Sequence, residues 1–318
     1  MFSLMEPPLS SRLRTASSVL VAGAGGGFDV YAGLPLAVAL RAQGKQVHLA
    51  NLAFSELGGL ELDDWLAPNV AAVGPHSSGS DGYFPERTLA RWLDGQGLPS
   101  TVYAFERTGV RPLTGAYQAL VARLGVDAIV LVDGGTDILM RGDEEGIGTP
   151  AEDMTSLAAV AGLDDLTRVV VCLGFGIDAY HGVCHAHVLE NLAALDRAGA
   201  FLGALSIPSD SAEARTYLAA VADARAATPL RPSIVNGQIA AALRGEFGNV
   251  AVTERTAGSR LFVNPLMGMY FAVDLPALAA SVHYLDRLRA TRTMFEVSLA
   301  IREYRSRIIP RPAHTFPH

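Results

Sequence analysis

The sequence predicts an α/β fold: a Rossmann-like three-layer sandwich with a mostly parallel sheet and a helical C-terminal section. Three observations carry that prediction. Short apolar runs alternate with longer helical patterns, the signature of a sheet with crossover helices. The runs are continuously apolar rather than alternating, as in strands covered on both faces. Finally, 318 residues of which 50% are hydrophobic and 18% charged supply a large core and are too apolar for intrinsic disorder.

Taken in order, residues 1–16 read as a flexible leader, 17–210 as the core and 211–318 as a mostly helical section, all within one domain, 1–318. The leader carries Arg12 and Arg14 but no continuous apolar stretch, so it does not read as a signal peptide. Val19–Ala22 is a first buried strand, followed by glycines and a helix around Val30–Arg41. Val47–Ala50, Val70–Val73 (the weakest) and Val102–Phe105 are further strands, the last followed by a helix near Gly115–Leu124. Ala128–Val132 is the clearest strand in the chain. Thr149-Pro150-Ala151-Glu152 reads as a helix start, with a capping hydroxyl, proline at the first helical position and glutamate three residues after the cap. Val169–Leu173 and Phe201–Leu205 are strands flanking a helix near Val188–Arg197. From about Ser211 the pattern turns helical and ends in two amphipathic stretches, Leu275–Leu288 and Met294–Tyr304.

Composition narrows the chemistry. Acidic residues number 32 against 25 basic ones, a net charge of −7, which disfavours a nucleic-acid binder. No uncharged apolar stretch is long enough to span a membrane. Cys172 and Cys184 are the only cysteines, too few for a disulfide framework or a paired-cysteine zinc ribbon. Lys45 is the sole lysine and sits in an apparent helix-to-strand turn. Schiff-base and P-loop chemistry therefore lack a residue to use.

In an open parallel sheet the strand-to-helix loops emerge at one edge, and ligands bind there. Four such loops are rich in Gly, Asp, Ser or His: Gly23–Asp29, Asp133–Glu145, Gly174–His185 and Ser206–Asp210. The first, with Gly23, Gly25, Gly26 and Gly27, approximates a dinucleotide fingerprint. Phe28 stands at the third glycine position, however, and no acidic residue closes the second strand. Its glycines suit either close approach of a phosphate to the backbone or a tight turn, and Asp29 argues against a bare phosphate unless a cation intervenes.

In the second loop Asp133, Asp137, Asp143 and Glu144 are candidate ligands for Mg²⁺ or Mn²⁺, with Gly134 and Gly135 leaving space for a ligand. The bland alternative has these carboxylates organising their own loop or lying in a solvated turn. In the third loop Asp178, His181, Cys184 and His185 are candidates for proton transfer or nucleophilic attack. If the stretch is helical, His181, Cys184 and His185 share a face that suits zinc, while His187 points away. A structural cysteine with surface histidines is the alternative there. Downstream, Asn236 and Gln238 place two amides in an otherwise apolar helix and need partners, while Gly74–Tyr83 reads as a mobile loop.

With these motifs the chain resembles the bacterial and archaeal family known as domain of unknown function 1152. The likeness rests on Gly25-Gly26-Gly27-Phe28-Asp29, on Val132-Asp133-Gly134-Gly135-Thr136-Asp137 followed by Gly142-Asp143-Glu144 and a proline-started helix, and on Gly174-Phe175-Gly176-Ile177-Asp178. It spans roughly Val19 to Leu205 and departs from the family's pattern at Phe28 and in the His/Cys-rich stretch after Asp178. The resemblance implies a Rossmann-like fold with a shared ligand site and brings no assigned activity.

Three functional readings follow. The first is a cytoplasmic enzyme acting by hydrolysis or group transfer on a small polar metabolite, phosphorylated or nucleotide-like, with a divalent metal. The second is a Cys184-dependent amide or ester hydrolase or transferase. The third is a non-catalytic ligand-sensing or partner-binding protein. A small-molecule ligand is expected in each, with neither nucleic acid nor membrane as partner. The arginine-bearing C-terminal helices are the expected contact of a homo-oligomer.

Overall fold

A computed structural model describes residues 6–252 and 261–315. The first five residues of the expected leader, and residues 253–260 and 316–318 of the C-terminal section, lie outside that description. The strands are β1 (Ser18–Gly23), β2 (Gln46–Leu52), β3 (Trp65–Ala67), β4 (Val70–Val73), β5 (Val102–Phe105), β6 (Ala128–Asp133), β7 (Thr167–Cys172), β8 (Phe201–Ser206), a short β9 (Gly248–Asn249) and β10 (Phe262–Val263), and β11 (Met269–Asp274). Nine of them form one sheet in the order β3-β4-β5-β2-β1-β6-β7-β11-β8, and β9 pairs with β10 apart from it.

The central strands β5, β2, β1, β6 and β7 run parallel, while β4 and β11 are antiparallel to their neighbours. The fold is thus α/β with a large, mixed, mostly parallel sheet. The five parallel strands point their C-terminal ends to one edge, and that is where the sequence concentrates glycine and aspartate.

The helices are α1 (Pro8–Leu13), α2 (Asp29–Ala32), α3 (Leu34–Ala42), α4 (Pro85–Gly95), α5 (Val110–Leu124), α6 (Pro150–Ala161), α7 (His185–Arg197), α8 (Ala212–Ala227), α9 (Ile234–Leu243), α10 (Leu275–Ser281), α11 (Leu285–Leu288) and α12 (Met294–Arg305). Alternate residues of the central strands feed two cores. Leu20, Ala22, Ile129, Leu131 and Val170 pack on one face with α5, α6, α7, α10 and α12. Val19, Val21, Val130, Val132 and Val171 pack on the other with α1, α3, α4, α8 and α9. Covering both faces is what makes every residue of β1 and β6 buried and their sequences continuously apolar. Among the described residues no helix is long and apolar enough to cross a membrane.

Four features differ from the sequence reading. Residues 8–13, within the expected flexible leader, form α1, whose Leu9 and Leu13 are buried in the second core. The helix expected over Val30–Arg41 is broken after Ala32, because Pro35 at the start of α3 cannot continue the preceding turn. The section after Ser211 is not simply helical: Met269–Asp274 inserts as β11 between β7 and β8. That run ends at Asp274, which caps α10 by accepting from Ala277 N at 3.1 Å, one residue before the expected stretch begins at Leu275. The expected stretch Leu275–Leu288 is itself split into α10 and α11.

Candidate functional site

The end of β6 is the anchor of the site. Asp133 is its last residue, in register with Cys172 of β7, so its carboxylate is carried on a rigid strand end. Asp29 opens α2 just after the glycine run, Asp137 opens a 3₁₀ turn (Asp137–Leu139), and Asp178 lies in a second one (Ile177–His181). To these the structure adds Asp153, in the first turn of α6. Asp133, Asp137, Asp153 and Asp178 are buried, and Asp29 is partly exposed at the mouth. One carboxylate oxygen from each of Asp29, Asp133 and Asp153 lies within 4.8 Å of the others.

Backbone donors hold most of these carboxylates in place. Gly25 N donates to Asp29 Oδ2 at 2.7 Å and Thr136 N to Asp178 Oδ2 at 2.6 Å. Thr149 N donates to Asp137 Oδ2 at 2.8 Å and its hydroxyl to the same oxygen at 3.3 Å. Asp133 Oδ2 accepts only a long contact from Ile138 N, 3.4 Å. Asp153 Oδ1 is buried with no partner among the described residues.

Burial, reinforced by the mutual repulsion of these carboxylates, pushes Asp133, Asp153 and Asp178 well above the usual carboxylate range. Asp137 is also raised by burial, against its bonds from Thr149 and the charge of His181. Asp29 is pushed up to about 7 by burial and by the charge of Asp137, against its backbone bonds. Nearby, Glu86 is pushed up to about 7 by burial, against a 2.6 Å bond from Asn51 Nδ2.

The glycines of these loops are where the carboxylates fit. A Cβ on Gly25 would stand 2.8 Å from both Asp29 Oδ2 and Asp153 Oδ1, one on Gly134 2.9 Å from Asp29 Oδ1, and one on Gly135 2.6 Å from Asp178 Oδ2. The space beside Gly25, Gly134 and Gly135 therefore belongs to aspartate oxygens. Gly26 and Gly27, both at positive φ, lie against Phe54 and the Tyr83 hydroxyl. Gly23 makes room for Asn51, whose Nδ2 bonds the Gly27 carbonyl at 2.7 Å. Asn51 thus stands at the end of β2, where a dinucleotide site would have an acid, and it organises the glycine turn instead.

The rim has the opposite charge. The Arg107 guanidinium lies 5.4 Å above the Phe54 ring and is paired with Glu152, while Arg231 lies 5.8 Å above Tyr83. Arg107, Thr149, Glu152, Phe295 and Arg302 line an open groove of about 640 Å³, within the size range of small-molecule sites. It begins at Thr149 and Glu152, the neighbours of the cluster on α6.

The remaining candidates fall outside the cluster. Thr149 starts α6 as expected, but its side chain serves Asp137 rather than capping the helix. Asp143 pairs with Arg141 and Arg311. Fully buried Glu144 accepts from Arg141 N, Gly142 N, Asn191 and Arg311. Both therefore fasten the C-terminal segment rather than face the aspartates. His181 is exposed, though close enough to Asp137 to lower its pKa. His185 packs on the Phe175 ring, and burial lowers its pKa. Cys184 Sγ donates to the His314 carbonyl at 3.1 Å, and among the described residues no histidine ring accepts from it. Nor do His181, Cys184 and His185 converge as a ligand set there. In the fourth loop Asp210 is exposed and stands apart. Asn236 finds Phe28 O and Tyr217, whereas both polar atoms of Gln238 are buried without partners among the described residues.

Sequence reasoning missed Asp153, which sits beside the glutamate read as part of a helix cap. Its burial follows from the packing of α6, whose residues from Glu152 to Val160 are all buried, a property that an acidic first turn does not announce in the sequence.

Comparison with known proteins adds one match. The model of a family described as "Protein of unknown function (DUF1152)" matches residues 65–307. That range contains the Asp133–Asp137 and Gly174–Asp178 motifs and extends well past Leu205, while the glycine run at 23–29 lies before it. No curated protein matches the chain.

Proposed function

This chain belongs to the DUF1152 family, whose description assigns no activity, and from that premise we propose that its aspartate cluster holds a divalent metal ion and acts on a phosphorylated or nucleotide-like metabolite by hydrolysis or group transfer. The observation that carries this reading is the approach of Asp29, Asp133 and Asp153, from three separate elements, to within 4.8 Å. Asp137 and Asp178 crowd the same space and Asp153 Oδ1 has no partner among the described residues. Buried like charges at this density need either protons or a cation to offset them. An all-oxygen donor set suits a hard ion such as Mg²⁺ or Mn²⁺, whose opposed ligands stand about 4 Å apart.

The rim supports the substrate class. An anion approaching the acidic interior is repelled unless a cation bridges it, and Arg231, together with Arg107 if it is shared with Glu152, would hold its outer charge. Phe54, 47% exposed, offers a face on which a base could stack. A divalent cation in such a site supplies Lewis acidity toward a phosphoryl oxygen. Asp178 and Asp137, both raised by burial, are the groups proposed to exchange a proton.

Isothermal titration of Mg²⁺ and Mn²⁺, followed by a panel of nucleoside and sugar phosphates, tests the proposal in wild type and Asp133→Asn. Phosphate compounds are expected to bind only in the presence of the cation, and Asp133→Asn to lose both while remaining folded. Binding unchanged by the substitution overturns the reading. Tight binding without turnover across the panel transfers the site to a sensing protein.

A further inference from the structure

A second set of ligating side chains meets where α7 passes the C-terminal segment, away from the aspartates. His187 and Glu190 stand one turn apart on α7, a spacing that places both on one helix face. His314 reaches them from the chain beyond Arg311. One ligand atom from each lies within 4.8 Å of the other two. The His187 and His314 rings meet edge to face with centroids 5.3 Å apart, and His314 Nε2 is 3.1 Å from Glu190 Oε1.

An ordinary surface ion pair accounts for His314 and Glu190 but not for His187. That imidazole is 1% exposed, and its Nδ1 is buried without a hydrogen-bond partner among the described residues. A buried, unpartnered ring nitrogen has lost its water and gained nothing in return, unless something outside the chain takes its lone pair.

The segment that presents His314 is fixed rather than loose. Arg311 N donates to Asp143 O at 2.7 Å, Glu145 N to Arg311 O at 2.8 Å, and Ala313 N to Glu145 Oε2 at 2.9 Å. Arg311 engages the other oxygen of Glu190, Oε2, leaving Oε1 turned toward the imidazole. We infer that His187, Glu190 and His314 form a second metal site, which takes a borderline divalent ion of the Zn²⁺ or Co²⁺ class and clips the C-terminal segment to α7.

Two imidazoles and one carboxylate are a donor set for such ions, distinct from the all-oxygen aspartate cluster. His314 lies beyond the stretch matched by the family, whereas His187 and Glu190 lie within it. The site stands independently of the reading of the aspartates.

Co²⁺ titration of the full chain, read by visible d–d absorption, with Zn²⁺ competition against a chromophoric chelator, tests the inference. The variants are His314→Ala and Glu190→Gln, which alter exposed side chains and leave the core intact, together with Asp133→Asn. Wild type and Asp133→Asn are expected to take up Co²⁺ with the visible bands of nitrogen-containing coordination. His314→Ala and Glu190→Gln are expected to weaken it by at least about tenfold. Equal affinity in wild type and His314→Ala overturns the inference, as does absence of Co²⁺ uptake. Loss of the bands in Asp133→Asn alone overturns it too, by assigning the ion to the aspartates.

Discussion

Raising the pH of the cation-free protein should weaken it, a consequence of crowding the carboxylates at the end of β6. Asp29 titrates near 3.8 when unfolded and at about 7 in the fold, so between those values the native state holds the extra proton. Stability from this group is therefore full at low pH and falls as pH rises through the window. The whole interval corresponds to roughly 4 kcal/mol, of which roughly 2–3 kcal/mol falls between pH 5 and 8. Partial exposure of Asp29 makes these upper bounds.

Asp133, Asp153 and Asp178 are shifted the same way by burial and mutual repulsion, and buried Glu86 adds a background of the same sign. At roughly 2–4 °C per kcal/mol, melting in chelator should fall by several degrees from pH 5 to pH 8. Because a metal binds the deprotonated carboxylates, excess Mn²⁺ should offset the fall at pH 8, by about 2.7 kcal/mol at a hundredfold excess over Kd. Glu86 lies outside the three-carboxylate set, so the difference between the curves with and without Mn²⁺ reports chiefly on the cluster. A melting temperature that is flat or rises with pH in chelator, or identical curves with and without Mn²⁺, refutes the reasoning.

Three further outcomes follow from particular contacts. Asp153→Asn removes one buried charge, so it should raise the cation-free melting temperature by a few degrees while lowering Mn²⁺ affinity by more than tenfold, roughly 1.4 kcal/mol or more; calorimetry and titration on the same sample check the opposed signs. Gly148 sits at φ +67°, and a Cβ there would stand 2.5 Å from Asp137 Cβ; Gly148→Ala should therefore destabilise by about 2–3 kcal/mol, read from urea denaturation. Glu144→Ala strands the donors of Asn191, Gly142 and Arg311; a loss of about 3 kcal/mol is expected, with faster amide exchange at Arg311 and Ala313 as the C-terminal segment loosens.

The elements that were legible in the sequence are those whose pattern and neighbourhood agree. β1, β6 and β7 are continuously apolar because both sheet faces are covered, and the parallel-sheet rule then carries Asp29, Asp133 and Asp178 to one edge. The misses have local causes. β11 lies in a helical stretch of the chain, and its antiparallel insertion between β7 and β8 is set by partners distant in sequence. Asp153 belongs to a helix rather than a strand-end loop, and only the packing of α6 against the glycine turn, through Ser156 Oγ to Ala24 O at 2.7 Å, turns it into the site. Asp143 and Glu144 follow the site aspartates closely in sequence, yet Arg311, 168 and 167 residues away, draws them to the C-terminal segment. His187, set apart in the sequence from His181, Cys184 and His185, lies on α7, which begins at His185, while His181 lies in a separate turn.

Anomalous diffraction from crystals grown with Mn²⁺ addresses the central claim most directly. A single strong peak is expected between the carboxylates of Asp29, Asp133 and Asp153, and it should vanish in Asp153→Asn crystals grown the same way. Well-ordered density for those three carboxylates with no peak between them, at Mn²⁺ concentrations that saturate ordinary hard-cation sites, would contradict the account.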